Sequence, residues 1–94
     1  MQIRFYLDPV TGFPHIHNHG IDESEVEDIV ETREYVMRGR DGTRLALGQT
    51  SAGRYLKVVY REEPGSIFVI TAVELRGKAL RAFRRLRRKK HGKR

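Results

Sequence analysis

Three of the four histidines stand at every second position in the stretch PHIHNHGI, Pro14 to Ile21. Imidazole could do three things there. Neutral rings bind zinc, nickel or copper, and alternate spacing would present all three on one side of an extended segment. A single ring could instead move protons, because imidazole titrates near neutral pH. Or the histidines could only shape a loop. No HExxH or comparable fingerprint accompanies them, and TGFPH before them favours an irregular loop over a strand. No metal and no cofactor is therefore expected. His19 is the candidate for acid-base chemistry, and its structural alternative is to shape the approach to the first helix, since Gly20 and a capping residue, Asp22, follow it.

The second chemical signal is charge. The net charge is +7, yet residues 76–94 hold eleven of the nineteen lysines and arginines and no acid, leaving eight cations against all twelve acids in residues 1–75. Such a block attracts polyanions and speeds their encounter. Because it begins inside an amphipathic segment, it points to nucleic acid or to an acidic protein partner. The chain has no cysteine, which excludes disulfides and thiolate metal sites and suits a reducing cytoplasm. No segment reads as a signal peptide or a membrane span, so a soluble, cytoplasmic protein is expected.

The elements that must position these residues follow from periodicity. IRFYL alternates as a strand over residues 3–7. IDESEVEDIVE carries a helix start, with Asp22 as N-cap, Glu25 three residues on and Ile21 placed to staple against Val26; the helix is expected over about Glu23 to Glu31. EYVMR, TRLALGQ, RYLKVVY and SIFVITAVE read as four strands joined by GRDG, TSAG and EEPG, turns short enough to make neighbours antiparallel. LRGKALRAFRRLRRKK then spaces Leu75, Ala79, Ala82, Phe83 and Leu86 as a helix. The expectation is one compact α+β domain of order β-α-β-β-β-β-α, residues 1–86, with a mostly antiparallel twisted sheet and both helices on one face. Nothing apolar follows Leu86, so residues 87–94 read as a basic tail that projects into solvent until a partner binds.

Strand parity divides the sheet residues. If Ile3, Phe5 and Leu7 face the helices, so do Leu45, Leu47, Leu56, Val58, Tyr60, Phe68 and Ile70. The opposite face is then Arg4, Tyr6, Arg44, Tyr55, Lys57, Arg61 and Thr71. Cations interleaved with aromatic rings suit a single-stranded nucleic acid, the cations for phosphates and the rings for bases. An ordinary solvated face also favours those residues, and the basic final helix tips the reading toward RNA, with Arg81, Arg84, Arg85 and Arg88 as further contacts.

HNHGI before a short helix, RLALGQT with GRYLKVVY, and FVITA before a basic final helix together resemble an uncharacterised small-domain family related to BrnT-type toxins, the ribonuclease halves of bacterial toxin-antitoxin pairs. The resemblance spans about Phe5 to Arg88. It implies a RelE-like fold, RNA cleavage without a metal, and neutralisation by a cognate antitoxin. The toxins' HG falls on His19 and Gly20, their GR on Gly53 and Arg54, and their ISA on Ile70, Thr71 and Ala72. Cleavage by the RNA's own 2′-hydroxyl needs a base, an acid and cations for the charge growing on phosphorus. His19 is the base candidate, Arg44, Arg54 and Arg61 could stabilise charge, and Tyr55 could donate a proton or stack on a base. Arg54 and Arg61 have opposite parity, so one phosphate could meet both only across a twist or bulge. A non-catalytic nucleic-acid-binding module and a protein-interaction domain stay open beside the toxin reading.

Overall fold

Glu25 and Asp22 show how directly this chain writes its local structure. In the computed structural model, which describes residues 2–92 and the side chains of residues 2–90, Glu25 N donates to Asp22 Oδ1 at 3.0 Å and Asp22 N donates to Glu25 Oε1 at 3.1 Å. This reciprocal capping box starts helix α1 (Glu23–Thr32), and Ile21 and Val26, flanking it, are both buried. Val26, Ile29 and Val30 form the buried stripe of α1.

The chain is a single compact α+β domain with a five-stranded mixed sheet and two helices. Strands β1 (Gln2–Phe5), β2 (Tyr35–Arg38), β3 (Arg44–Gln49), β4 (Tyr55–Glu63) and β5 (Ser66–Glu74) lie in the order β1-β5-β4-β3-β2. Tight turns make β2 to β5 an antiparallel meander, while β1 returns parallel to β5. At Pro64–Gly65 the turn needs a left-handed residue, which Gly65 supplies with φ of 73°. The element order expected from the sequence holds, with two short 3-10 helices added, one at Arg40–Gly42 and one at His15–His19, called here the histidine turn. Among the described residues, no helix is long and apolar enough to cross a membrane.

The two helices cover opposite faces, which corrects the expectation of helices on one face. On the α1 side Val26, Ile29 and Val30 meet Ala46, Leu56, Val58, Tyr60, Ile67, Val69 and Ala72, with Ile3 and Phe5 at the margin. On the other side, helix α2 (Gly77–Gly92) seats Phe83 and Leu80 with Leu47, Leu75, Tyr35 and Tyr55. A sheet covered on both sides has apolar residues at both parities, so parity alone could not choose between them.

Two strands therefore invert. In β3 the small Ala46 and Gly48 face α1, and a Cβ at Gly48 would stand only 3.3 Å from Ile29 Cδ1. Leu45 and Leu47 turn to the α2 side, because α1 packs too close for them. In β5 Ile67 and Val69 face α1, whereas Phe68, opposite Arg4, lies on the other face. Val59 pairs with Thr71 and Tyr60 with Val69, leaving Ile70 as an extra residue. That bulge resets the alternation, so that Val69 and Ala72 are both fully buried. Leu7, expected in β1, lies beyond it and is exposed, bridging to Pro14.

The compositional break after Leu86 falls inside α2, which continues to Gly92. Arg87 donates to Gln49 Oε1 at 2.7 Å and pairs with Glu34 at 2.9 Å, and Lys90 reaches the Glu34 carbonyl at 3.1 Å. These contacts hold the helix where apolar residues have run out. The expected free projection of residues 87–94 thus does not begin at Arg87, and the last two residues of that span lie outside the described ones.

Val58 is wholly buried beneath α1, whereas Lys57 looks out on the other face. Val58→Ala is expected to cost about 1–3 kcal/mol in chemical denaturation, and Lys57→Ala less than about 0.5 kcal/mol.

Candidate nucleic-acid interface

In helix α2 Phe83 is buried, while Lys78, Arg81, Arg84, Arg85, Arg88 and Lys89, and Arg76 just before the helix, are exposed. Arg81, Arg84, Arg85 and Arg88 recur at spacings of three and four, so they lie along one stretch of surface and repel one another. That repulsion works against the helix, which is held instead by Phe83 and by the Arg87 and Lys90 clamps. A polyanion laid along this surface would relieve it.

Tyr55, at the start of β4, extends the basic surface onto the sheet. Its ring meets Phe83 edge-on at 6.0 Å, and the Arg84 and Arg87 guanidinium groups stand 5.1 and 5.9 Å from its centroid. Arg84, Arg87, Arg88 and Tyr55 line one open hollow. Beside it an apolar groove between α2 and the sheet is lined by Met37, Leu45, Ala79, Ala82 and Leu86, with Lys57 at its wall. With Arg87 engaged by Glu34, the Tyr55 ring beside Arg84 and Arg88 can take a base and its phosphates.

The remaining sheet cations do not form the continuous face expected from parity. Arg4, Tyr55, Lys57 and Arg61 do share the α2 side. Arg44 has the parity of Ala46 and points to the α1 side, where it lies 3.7 Å from Glu62. Arg4 is neutralised by Glu63 at 2.6 Å and lies over the Phe68 ring. That contact holds the Glu63 carboxyl below its ordinary range. Arg61 donates to the Asp41 carbonyl at 2.6 Å, a contact that orients it without cancelling its charge. Tyr6 has left the sheet and stands beside His15.

The proposed catalytic residues are dispersed. Arg54 faces α1: one guanidinium nitrogen reaches Glu25 at 2.9 Å and the Gly20 carbonyl at 3.0 Å, and the other reaches Glu74 at 3.3 Å. Hydrogen bonding to Glu25, and then to Glu74, raises the pKa of the guanidinium above its ordinary value. Glu74 also accepts from Arg76 at 3.0 Å, and both arginines hold its carboxyl low. Arg54 is thus a structural tie. Tyr55 and Arg61 look out on the other face from opposite ends of β4, and since the extra residue of the bulge is Ile70, β4 keeps its alternation and does not bring Arg54 round to Arg61.

The histidine turn divides its three rings. Within it His15 and His19 lie with their ring centroids 5.2 Å apart and edge-on, while His17 is 2.8 Å from Glu23 and stacked on Phe13. The Asp8 carboxylate lies 3.8 Å from His15 Nδ1 and accepts from Asn18 at 2.6 Å. Hydrogen bonds from Asn18 and the Val10 and Thr11 amides hold the Asp8 carboxyl below its ordinary range, as the bond from His17 does for Glu23. Among the described residues no group of three His, Asp or Glu side chains is placed to hold a metal ion. Sequence reasoning missed His15 as the neighbour of His19, and the Arg87 and Lys90 clamps on residue 34. The first was hidden because alternation was weighed as an extended segment, the second because the cations were read only as a tail.

No family model, no curated protein and no solved structure matches the chain.

Six carboxyls, Asp8, Asp22, Glu23, Asp28, Glu63 and Glu74, bind protons less readily in the fold than their ordinary values of 3.8 for Asp and 4.5 for Glu. Their contribution is complete above those values and is lost as pH falls through the lower folded-state values. Denaturant midpoints are expected to be level above about pH 5 and to drop steadily on acidification. Glu74→Gln should lower the midpoint at pH 7 and make the acid loss shallower.

Proposed function

We propose that the protein binds single-stranded RNA along the exposed face of α2, with Tyr55 as a stacking platform for a base. The observation that carries this reading is the acid-free α2 surface converging on the Tyr55 hollow. Arginine gives strong charge-assisted contacts to phosphate, and the guanidinium planes beside Tyr55 suit an unstacked base. Lys57 and Arg61 extend the positive field along the sheet face. Arg44 and Arg54, engaged on the opposite face, play no part in this contact.

A second reading is that the bound RNA is cleaved without a metal, as in the ribonuclease toxins that the sequence resembles. The exposed His19 favours it, since the ring has no hydrogen-bond partner among the described residues and is free to act as a base. The α+β core and basic final helix support a RelE-like relative of those toxins, working in the cytoplasm and restrained by a cognate antitoxin. Arg54, through the Gly20 carbonyl, then acts as a positioning residue for His19.

Fluorescence anisotropy with a labelled single-stranded RNA tests the binding reading. Affinity should fall steeply with salt, with a slope near −0.7 in log K against log salt for each phosphate contact. Arg84→Gln and Arg88→Gln should each flatten that slope by about 0.7 and leave the fold unchanged. A salt-independent affinity would count against the interface. In a cleavage assay with chelator present, His19→Ala should reduce the rate by about 100-fold or more.

A further inference from the structure

We propose that His15 and His19 form a proton-transfer pair for RNA cleavage, His19 as the base and His15 as the acid. The proposal rests on the cleavage reading and assigns it a residue outside the α2 surface. Ring centroids 5.2 Å apart place two imidazoles within reach of neighbouring oxygens on one phosphate, each through a hydrogen bond of roughly 2.8 Å. Neither Nε2 of His15 nor either nitrogen of His19 has a hydrogen-bond partner among the described residues, so both rings can meet a substrate.

The surroundings make the two rings unequal. His15 Nδ1 has the Asn18 amide nitrogen at 3.4 Å and the Asp8 carboxylate at 3.8 Å, an acid kept ionised by three hydrogen bonds, so a protonated ring there has a counter-charge. No carboxylate contacts His19 among the described residues. Tyr6 stands 6.0 Å from His15, ring to ring, and Glu23 is occupied by His17 on the far side of the turn. The pair is also held in place. Gly20 closes the turn in the left-handed region with φ of 71°, its carbonyl is gripped by Arg54, and Ile16, next to His15 in the chain, is buried in the core. A pre-set geometry of this kind is what proton transfer in a single step requires.

The reaction balances without a metal or redox partner. The 2′-hydroxyl oxygen attacks the adjacent phosphorus while His19 takes its proton. The new O2′–P bond forms, the P–O5′ bond breaks, and His15 delivers its proton to the departing 5′-oxygen. The products are a 2′,3′-cyclic phosphate and a free 5′-hydroxyl, with one proton taken up by His19 and one given up by His15.

The test compares an ordinary single-stranded RNA oligonucleotide with one carrying a bridging sulfur at the scissile 5′ position, a leaving group that departs without protonation. Wild type should cleave both to the cyclic phosphate, with a bell-shaped pH-rate profile on ordinary RNA. His15→Ala should lose about 100-fold or more on ordinary RNA and recover to near the wild-type rate on the sulfur substrate, whereas His19→Ala should stay impaired on both. If His15→Ala does not fold, His15→Gln is carried through the same comparison. An unimpaired His15 variant, or one equally slow on both substrates, overturns the assignment while leaving the cleavage reading standing. A folded wild type that cleaves neither RNA overturns both.

Discussion

The guanidinium of Arg54 is the contact through which the separate parts of this domain are registered. It joins Glu25 of the α1 capping box, the Gly20 carbonyl that closes the histidine turn, and Glu74 at the end of β5, and Glu74 passes the connection to Arg76 at the approach to α2. The group is about one-third exposed, so the pairing is screened and its energy modest. Its value is geometric. Two nitrogens of one planar group fix the mutual orientation of a helix start, a turn and a strand end.

The sequence made the element order, the capping box and the turns legible because each is encoded within a few residues. Asp22 and Glu25 needed only one another, and Pro64–Gly65 needed only its own backbone. Face assignment was another matter, since it depends on what lies on each side of a strand. Leu45 and Leu47 are larger and more apolar than Ala46 and Gly48, yet the small pair faces α1 because the helix approaches closely there. In β5 a single unpaired residue, Ile70, shifts the alternation midway. Neither fact is local. Leu56, Val58 and Tyr60 were placed correctly because β4 has no glycine and keeps a regular alternation.

The candidate site was legible in its residue types and opaque in its grouping. Tyr55 was expected among sheet cations on a face free of helices; α2 instead crosses the start of β4 on that face and brings Arg84 and Arg87 to its ring. Arg54, by contrast, neighbours Tyr55 in sequence and faces away from it in space. His15 and His19 come within ring contact because the segment curls back as a short turn, whereas an extended PHIHNHGI would hold them apart. Charge composition located the basic region, but whether a cation is free depends on long-range partners such as Glu63 for Arg4 and Gln49 for Arg87.

The parallel pairing of β1 with β5 has a consequence for the timing of assembly. Gln2 lies opposite Ser66, so the first strand has no partner until nearly the whole sheet exists, while β2 to β5 can join by short loops as they appear. Contacts so distant in sequence close late, after the loop entropy has been offset by nearer ones. The histidine turn packs on β5 as well, so it gains that support only with the last strand of the meander. During synthesis on the ribosome, the emerging histidine turn therefore lacks the strand it packs on until the meander is complete.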